Sequence, residues 1–476
     1  MEEIFKGNKA LFEGLYIYDK IDWTQQYPVI RIDWSGIHHS TAESMEISTA
    51  SFLERLANSH EVTLTAQYAS DRFQELIELL HQKTGQQVVV LVDEYDMPIL
   101  DTLSQPSTIK EARDFLQSFY KVLKTADEHL RFIFLTGVSK FAGVSIFSGL
   151  NNLDDITLDE KYAAICGYTQ SELEYYFSEY LDIVAQYVSL DKTNLMKEIR
   201  RWYNGYSWDG ETPVYNPFST LLFFSKKQFD NYWFRTGTPS FLIELLKNRN
   251  QLKLVLEPFT VDSIAFESFD PLRIDEVPLL FQTGYLTIKK KEFIGGRPRY
   301  TLEMPNFEVE EAFLKYLLSS YSDYPVGMTG SLKERMQLQL ETNDAAGLEQ
   351  SLREMIAYIP YPLHIGKEAY YHSLLLLWLK LLGFDITGEI MTNTGRIDAV
   401  LKLPGQVIVA EIKFQPKQGK MTKLLDEAIN QIKEKRYYER FKDQKVSFLA
   451  VAFAGKEIGC RMESYGIAPA KDSKPE

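Results

Sequence analysis

The 476-residue sequence predicts an α/β chain built in three units, and three observations predict it. In the first third, short apolar runs alternate with amphipathic stretches, the punctuation of a parallel sheet with helices between its strands. The middle third is helix-rich and aromatic and contains a Gly295-Gly296 turn that marks a small β wing. Near the C-terminus a helix, a strand pair, a second helix and a further strand follow in that order, a second α/β unit. A chain of this length exceeds what one hydrophobic core organises, so two or three domains are expected.

Each element has a local reason. Residues 27–33 (YPVIRID) and the β-branched run at 88–92 (VVVLV) read as strands, the second buried on both faces. Amphipathic stretches at 44–56 and 71–83 read as helices between them, and 109–128 as the helix leading to a third strand at 132–135. In the middle, Gly237-Thr238-Pro239 precedes an apolar helix start at 240–246. Residues 278–284 lead into a strand at 285–288, and 300–302 returns after the glycine pair. Helices are expected at 331–340 and 344–356, then at 368–382 and 421–441 around the strand pair, with a last strand at 445–453. The aromatic residues between Trp202 and Trp233 read as packing or as platforms for bases.

Composition narrows the function. Hydrophobic residues make up 45% of the chain and aromatic residues 13%, ample for burial. Cys166 and Cys460 are the only cysteines, which excludes a disulfide framework and a cysteine-rich zinc site. No apolar run reaches the roughly 18 residues needed to cross a bilayer; the longest, 373–384, is interrupted by Lys380. The acidic start lacks a signal peptide's apolar core, so a cytoplasmic location without a membrane partner is expected. A formal charge of -14 argues against coating nucleic acid through overall charge. Residues 412–445, however, carry ten Lys or Arg against five Asp or Glu, a phosphate-facing surface or a solvated helix face.

Two stretches carry chemistry. The run from Val88 to Asp96 ends an apolar strand in acids, and the next strand ends at Thr136. In nucleoside triphosphatases such a strand edge holds magnesium through an Asp and orients water through a Glu, roles open here to Asp93 and Glu94, with Thr136 placed to sense a γ-phosphate. Strands also end in acids for solubility. A phosphate cradle needs Gly-x-x-x-x-Gly-Lys-Ser/Thr, and none of Gly366-Lys367, Gly419-Lys420 and Gly455-Lys456 is followed by Ser or Thr. ATP is therefore not expected as a cofactor of this chain acting alone.

The second stretch is the strand pair, Gly395 to Leu403 and Gln406 to Lys413, turning at Pro404-Gly405. An even-numbered loop opposes Leu403 to Gln406, and therefore Asp398 to Glu411 and Arg396 to Lys413. Opposed residues share a face with Cβ atoms roughly 5 Å apart, and Lys413 lies on the face of Glu411. Two acids that close need a cation or a base. A metal site is the simplest explanation. The alternative is a surface hairpin whose charges neutralise one another, worth little in stability.

Residues 89–96, 135–141, 202–206, 215–218, 232–234 and 237–239 together resemble the bacterial and archaeal AAA-ATPase-like proteins that carry a C-terminal PD-(D/E)XK nuclease-superfamily domain. The resemblance covers nearly the whole chain. It implies an incomplete P-loop-type parallel sheet over residues 1–165, with Asp93, Glu94 and Thr136 at the Walker B and sensor positions. It further implies a helical lid or winged-helix-like module over 166–342, a restriction-endonuclease-like α/β domain over 343–467, and a frayed tail over 468–476. In that family a Walker A loop lies just upstream of a segment similar to 7–16, and this sequence begins after it. A truncated reading frame or a degenerate ATPase is implied, without one strand expected near the middle of the sheet.

By the same resemblance Asp398 matches the motif Asp, and Glu411 and Lys413 its Glu-x-Lys. Glu368 matches an acid on the first helix and Gln431 a polar residue on the second. The implied function is Mg²⁺- or Mn²⁺-dependent hydrolysis of phosphodiester bonds, in DNA, with Asp398, Glu411, Lys413 and Gln431 catalytic and Asp398, Glu411 and Glu368 holding metal. His372, one helical turn after Glu368, reads as a metal ligand or a structural residue, and His38-His39 has no acid at ligand spacing. Two other readings stay open: a non-catalytic nucleic-acid or protein-interaction module of a defence or mobile-element system, and an ATPase completed by a P-loop from an upstream segment or a partner chain. A homo-oligomer is compatible with each.

Overall fold

The computed structural model describes residues 1–102, 106–139, 146–147, 150–233, 258–266, 276–321, 329–357, 368–392, 395–416, 419–441, 444–455 and 457–465. The expected helix at 240–246 and the tail at 468–476 lie outside them. The chain divides into two compact units, one of Met1–Ala163, Val261–Leu286 and Phe293–Arg299, the other of Ala164–Thr260, Thr287–Glu292 and Tyr300–Glu476. No helix among the described residues is long and apolar enough to cross a membrane.

In the first unit, β1 (Val29–Asp33), β2 (Val88–Asp93) and β3 (Leu130–Leu135) form a parallel sheet in that order. β2 is central, and its β-branched run is buried from Val88 to Val92, as a strand covered on both faces must be. α1 (Ala42–Ser59), α2 (Ala69–Thr84) and α3 (Pro106–Thr125) make the crossovers. A reciprocal Thr41/Ser44 capping box starts α1. α2 stops where Gly85 turns left-handed at φ +65°. Between the helices Phe73 stacks on Phe119 at 4.7 Å, and fully buried Trp34 gives its Nε1–H to the Tyr120 hydroxyl at 2.7 Å. On the other sheet face Phe5, Tyr27 and Phe132 cover Val29, Val89 and Leu91.

The second unit begins with a helical module of α4 (Ser178–Tyr187), α5 (Lys192–Tyr203) and α6 (Pro217–Lys226). Its core gathers Leu181, Val184, Leu195, Ile199 and Phe223. The aromatic motifs are packing: Tyr203 and Tyr215 are fully buried, and Trp202 stacks on Phe229 at 5.6 Å. Around Gly295-Gly296 the expected wing forms from β7 (Thr287–Ile294) and β8 (Arg297–Glu303), preceded by the short β4 (Asn204–Tyr206), β5 (Val214–Tyr215) and β6 (Phe259–Val261).

One buried acid was not visible in the sequence. Glu308, in the first turn of α7 (Phe307–Tyr321), is 0% exposed and accepts from the Trp233 N–H at 2.8 Å and the Ser219 hydroxyl at 3.0 Å. Burial pushes its pKa up to about 7, against an ordinary 4.5. Between those values the folded state holds the proton more tightly than the unfolded chain. The stability this group contributes is present below the unfolded pKa and is lost as pH rises through the folded one. Glu308→Gln keeps an oxygen acceptor and removes the ionisation, so its stability relative to wild type should rise by about 3 kcal/mol between pH 4 and pH 8. Urea unfolding at both pH values measures this, and an equal wild-type-to-variant difference at the two pH values would refute it.

The rest of the unit carries α8 (Thr329–Glu341), α9 (Ala345–Ala357), α10 (Glu368–Leu381) and α11 (Met421–Glu434) with a five-stranded sheet. That sheet runs β13 (Glu457–Tyr465), β12 (Lys445–Ala454), β11 (Gln406–Gln415), β10 (Gly395–Leu403), β9 (Asp385–Thr392). β11 and β12 are parallel and the other neighbours antiparallel. A parallel pair needs a crossover, which α11 supplies between them. Three expectations are corrected. β9 and β13 extend the predicted strand pair and last strand at both edges. The helix predicted over 421–441 ends at Glu434, because Arg436 sits at φ +54° and Tyr437–Phe441 forms a separate 3-10 turn.

Candidate active site

Pro404-Gly405 closes β10 onto β11 as a two-residue turn, with Gly405 at φ +78°, a conformation that favours glycine. Leu403 pairs with Gln406, and this register continues to Ala399 opposite Ala410. The backbone pairing ends there, one step before Asp398 and Glu411. The expected ladder opposition of Asp398 to Glu411, and of Arg396 to Lys413, is replaced by a side-chain tie: Asp398 Oδ2 accepts the Ile412 N–H at 2.8 Å. Asp398, half-buried, is thereby fixed to the backbone of the residue that follows Glu411.

β11 alternates under α11. Val407 and Val409 share a core with Leu425, Ala428 and Ile429 of that helix, and alternation places Glu411 and Lys413 on the same side. Glu411 is only 1% exposed, a carboxylate set beside Ala450 of β12. Lys413 Nζ stands 2.9 Å from Glu411 Oε1 and donates to Gln431 Oε1 of α11 at 2.7 Å. The structure thus brings Glu411, Lys413 and Gln431 into one chain of contacts, with Asp398 tied to the adjoining residue. Glu368 opens α10 as expected; its side chain lies outside the described residues.

His372 of α10 is buried, and its Nε2 lies 2.9 Å from the Asp398 carbonyl. A carbonyl only accepts, so this nitrogen carries the proton and donates. His372 is a strut under Asp398, and that nitrogen is not directed at a cation. Among the described residues no group of three or more His, Cys, Asp or Glu side chains converges. Asp398 and Glu411 still fit Mg²⁺ or Mn²⁺, because a small hard cation is bound through one or two carboxylates and keeps several waters. The positive surplus over 412–445 is reduced from outside the segment by Glu463, which pairs with Lys433 at 2.5 Å, while Lys423 pairs with Glu427 at 3.7 Å and Arg436 with Glu439 within it.

In the first unit Asp33 and Asp93 are register partners at the ends of β1 and β2. Thr136 Oγ1 donates to Asp93 Oδ1 at 2.7 Å. Glu94, at φ +52°, has its pKa raised by burial first and then by the charges of Asp33 and Asp93. Asp93, Glu94 and Thr136 therefore gather at one strand edge. Asp96, overlooked in the sequence, is fully buried and accepts from Val138 N at 3.1 Å, Ser139 N at 2.5 Å and Ser139 Oγ at 2.8 Å. A Cβ on Gly137 would collide with Asp96 and the Tyr95 ring, so glycine is needed at that crossing. His39 does have an acidic partner, Asp101 Oδ2 at 2.7 Å, beside a cavity of about 470 Å³ that Ser35 and Ser40 also line. Spacing could not reveal it, since the two lie 62 positions apart.

Residues 1–147 match the AAA-ATPase-like family, described as a predicted AAA-ATPase, and residues 366–463 match the PD-(D/E)XK nuclease superfamily. The chain is 38% identical over 476 residues to a protein of Azotobacter chroococcum mcd 1 named "Uncharacterized protein in vnfD 5'region", spanning 98% of this chain and 89% of that one.

Proposed function

The chain belongs to the AAA-ATPase-like family and carries a PD-(D/E)XK nuclease-superfamily domain, and from that premise we propose that it is a metal-dependent nuclease hydrolysing phosphodiester bonds in DNA. The observation that carries the proposal is the buried Glu411 carboxylate held 2.9 Å from Lys413 Nζ, next to the residue on which Asp398 is anchored. Asp398 and Glu411 would hold Mg²⁺ or Mn²⁺, with Glu368 as a third ligand. When bound, such an ion supplies an acidified water and polarises the scissile phosphate. Gln431 fixes the Lys413 ammonium, whose charge would stabilise the pentacoordinate phosphorus as negative charge builds on its oxygens. We assign residues 343–467 to this domain, 1–165 to the ATPase-like core and 166–342 to a lid-like module.

A second reading concerns the first unit. Asp33, Asp93, Glu94 and Thr136 cluster at the C-terminal ends of parallel strands, where nucleotides bind in open α/β sheets. That supports a nucleotide role completed by a P-loop from an upstream segment or a partner chain, and not ATP hydrolysis by these residues alone.

Supercoiled plasmid and circular single-stranded DNA, incubated with the full chain in Mn²⁺, Mg²⁺ or EDTA, test the nuclease reading. Nicking in Mn²⁺ that EDTA abolishes is expected. A folded protein that binds Mn²⁺ by calorimetry and cuts neither DNA would end the enzymatic reading in favour of a non-catalytic interaction module.

A further inference from the structure

The helical module presents a second apolar face that its own core uses only at one edge, where the Tyr180 ring lies 6.3 Å from Phe177 and 6.1 Å from Phe224. α4 buries Leu181, Val184 and Ala185 against α5 and α6. On its other side Tyr180, Ile183 and Tyr187 stand 53%, 50% and 68% exposed, and Tyr176, four residues before Tyr180, is 62% exposed. The spacing 180, 183, 187 is one stripe of α4, and Tyr176 ends the preceding helix, Gln170–Tyr176. Tyr175, at 76%, packs edge-on against Tyr176 with ring centroids 5.1 Å apart. A ten-residue helix that is apolar on both sides is covered on both sides in its working state.

Area and charge identify the cover. Aromatic side chains present roughly 150–250 Å² each, so these exposures leave on the order of 600 Å² of mostly apolar surface. That lies at the upper limit for a monomer's largest patch and, with its polar rim, approaches the roughly 800 Å² that each partner contributes to a standard interface. From Thr169 to Asp191 the chain carries Glu172, Glu174, Glu179, Asp182 and Asp191 and no Lys or Arg. Asp182 is neutralised by Lys192 at 3.0 Å, and the remaining acids at the start of the stripe disfavour phosphate, so the surface suits a protein better than nucleic acid or an anionic membrane. The charge is also polar along the stripe. Glu172, Glu174 and Glu179 flank its start, while at its end Lys227 Nζ lies 5.4 Å from the Tyr187 ring centroid. A two-fold axis across the middle of α4 sets each acidic start against the other copy's basic end, and the contact closes on itself.

We propose that the Tyr176-Tyr180-Ile183-Tyr187 face is the interface of a homodimer, formed by antiparallel packing of α4 on the same helix of a second copy. Sedimentation velocity on the full chain tests it, with Ile183→Glu/Tyr187→Glu, Lys227→Glu, and Lys227→Glu combined with Glu179→Lys. Wild type should sediment as a dimer of the 55.1 kDa chain at micromolar concentration. The double glutamate variant should be monomeric, its dissociation constant raised at least about 100-fold, with an unchanged far-ultraviolet circular dichroism spectrum and a lower melting temperature. Lys227→Glu should weaken the dimer and the added Glu179→Lys should restore it. A wild type monomeric throughout that range, with or without single-stranded DNA bound at the tyrosines, would overturn the proposal. So would a dimer indifferent to all three variants. Should the double variant fail to fold, the charge reversal and its rescue decide.

Discussion

Asp398→Asn removes Mn²⁺-dependent DNA cleavage, by on the order of 100-fold or more, and leaves the melting temperature of the metal-free protein nearly unchanged. The amide oxygen still accepts the Ile412 N–H that Asp398 Oδ2 accepts at 2.8 Å, so the tie between β10 and β11 persists. What disappears is the negative charge that a hard cation requires. Asp398→Ala behaves differently. It removes charge and acceptor together and strands a backbone N–H at the end of the ladder, a loss of about 1–3 kcal/mol. Plasmid nicking and thermal melts on the two variants separate chemistry from scaffolding. Wild-type cleavage by Asp398→Asn would remove that carboxylate from the reaction.

Lys413→Met destabilises the metal-free protein by about 3–5 kcal/mol, because it takes the ammonium away from a buried carboxylate. Glu411 is 1% exposed and its Oε1 is 2.9 Å from the ammonium; Gln431 loses the donor it receives at 2.7 Å. The methionine stem fills similar space, so the loss is electrostatic. Two companion measurements follow from that cause. Adding Glu411→Gln to Lys413→Met should recover part of the stability by removing the charge of the buried carboxylate. Mn²⁺ should raise the urea midpoint of Lys413→Met by more than that of wild type, since an ion bound by the folded state adds stability that grows with the logarithm of its concentration over its dissociation constant. A Lys413→Met midpoint equal to wild type in EDTA would show that the ammonium does not hold the carboxylate.

The centre of this site was legible because two residues fix it. Pro404-Gly405 sets the hairpin register, and a period of two then determines which side chains share a face, so Glu411 and Lys413 could be placed together from the sequence. Where the ladder stops could not be read. Ending it at Ala399 depends on a tertiary bond from the Asp398 carboxylate to a backbone amide, which leaves no pattern in composition. β9 was hidden because Thr387, Gly388 and Glu389 interrupt its apolar residues, and it is stabilised by pairing with β10. The overrun of α11 has a similar origin, since an arginine at positive φ gives no breaker signal of the kind glycine or proline gives. Buried acids were the largest omission. Glu308 finds Ser219 across 89 positions and Asp96 finds Ser139 across 43, whereas sequence reasoning weighs acids by their near neighbours. The first sheet was legible throughout, because β2 is an unbroken β-branched run and its neighbours flank clear amphipathic helices.

The parallel pairing of β11 with β12 sets the order in which the protein becomes competent. Glu411 lies opposite Ala450, and the intervening chain must fold into its crossover before those strands meet, a non-local closure that comes late because its entropy is lost before its contacts form. Until Lys445–Ala454 has left the ribosome and docked, the hairpin has an open edge and no wall behind its acids. The wall behind Glu411 is therefore assembled only after the strand Lys445–Ala454 has been synthesised and docked.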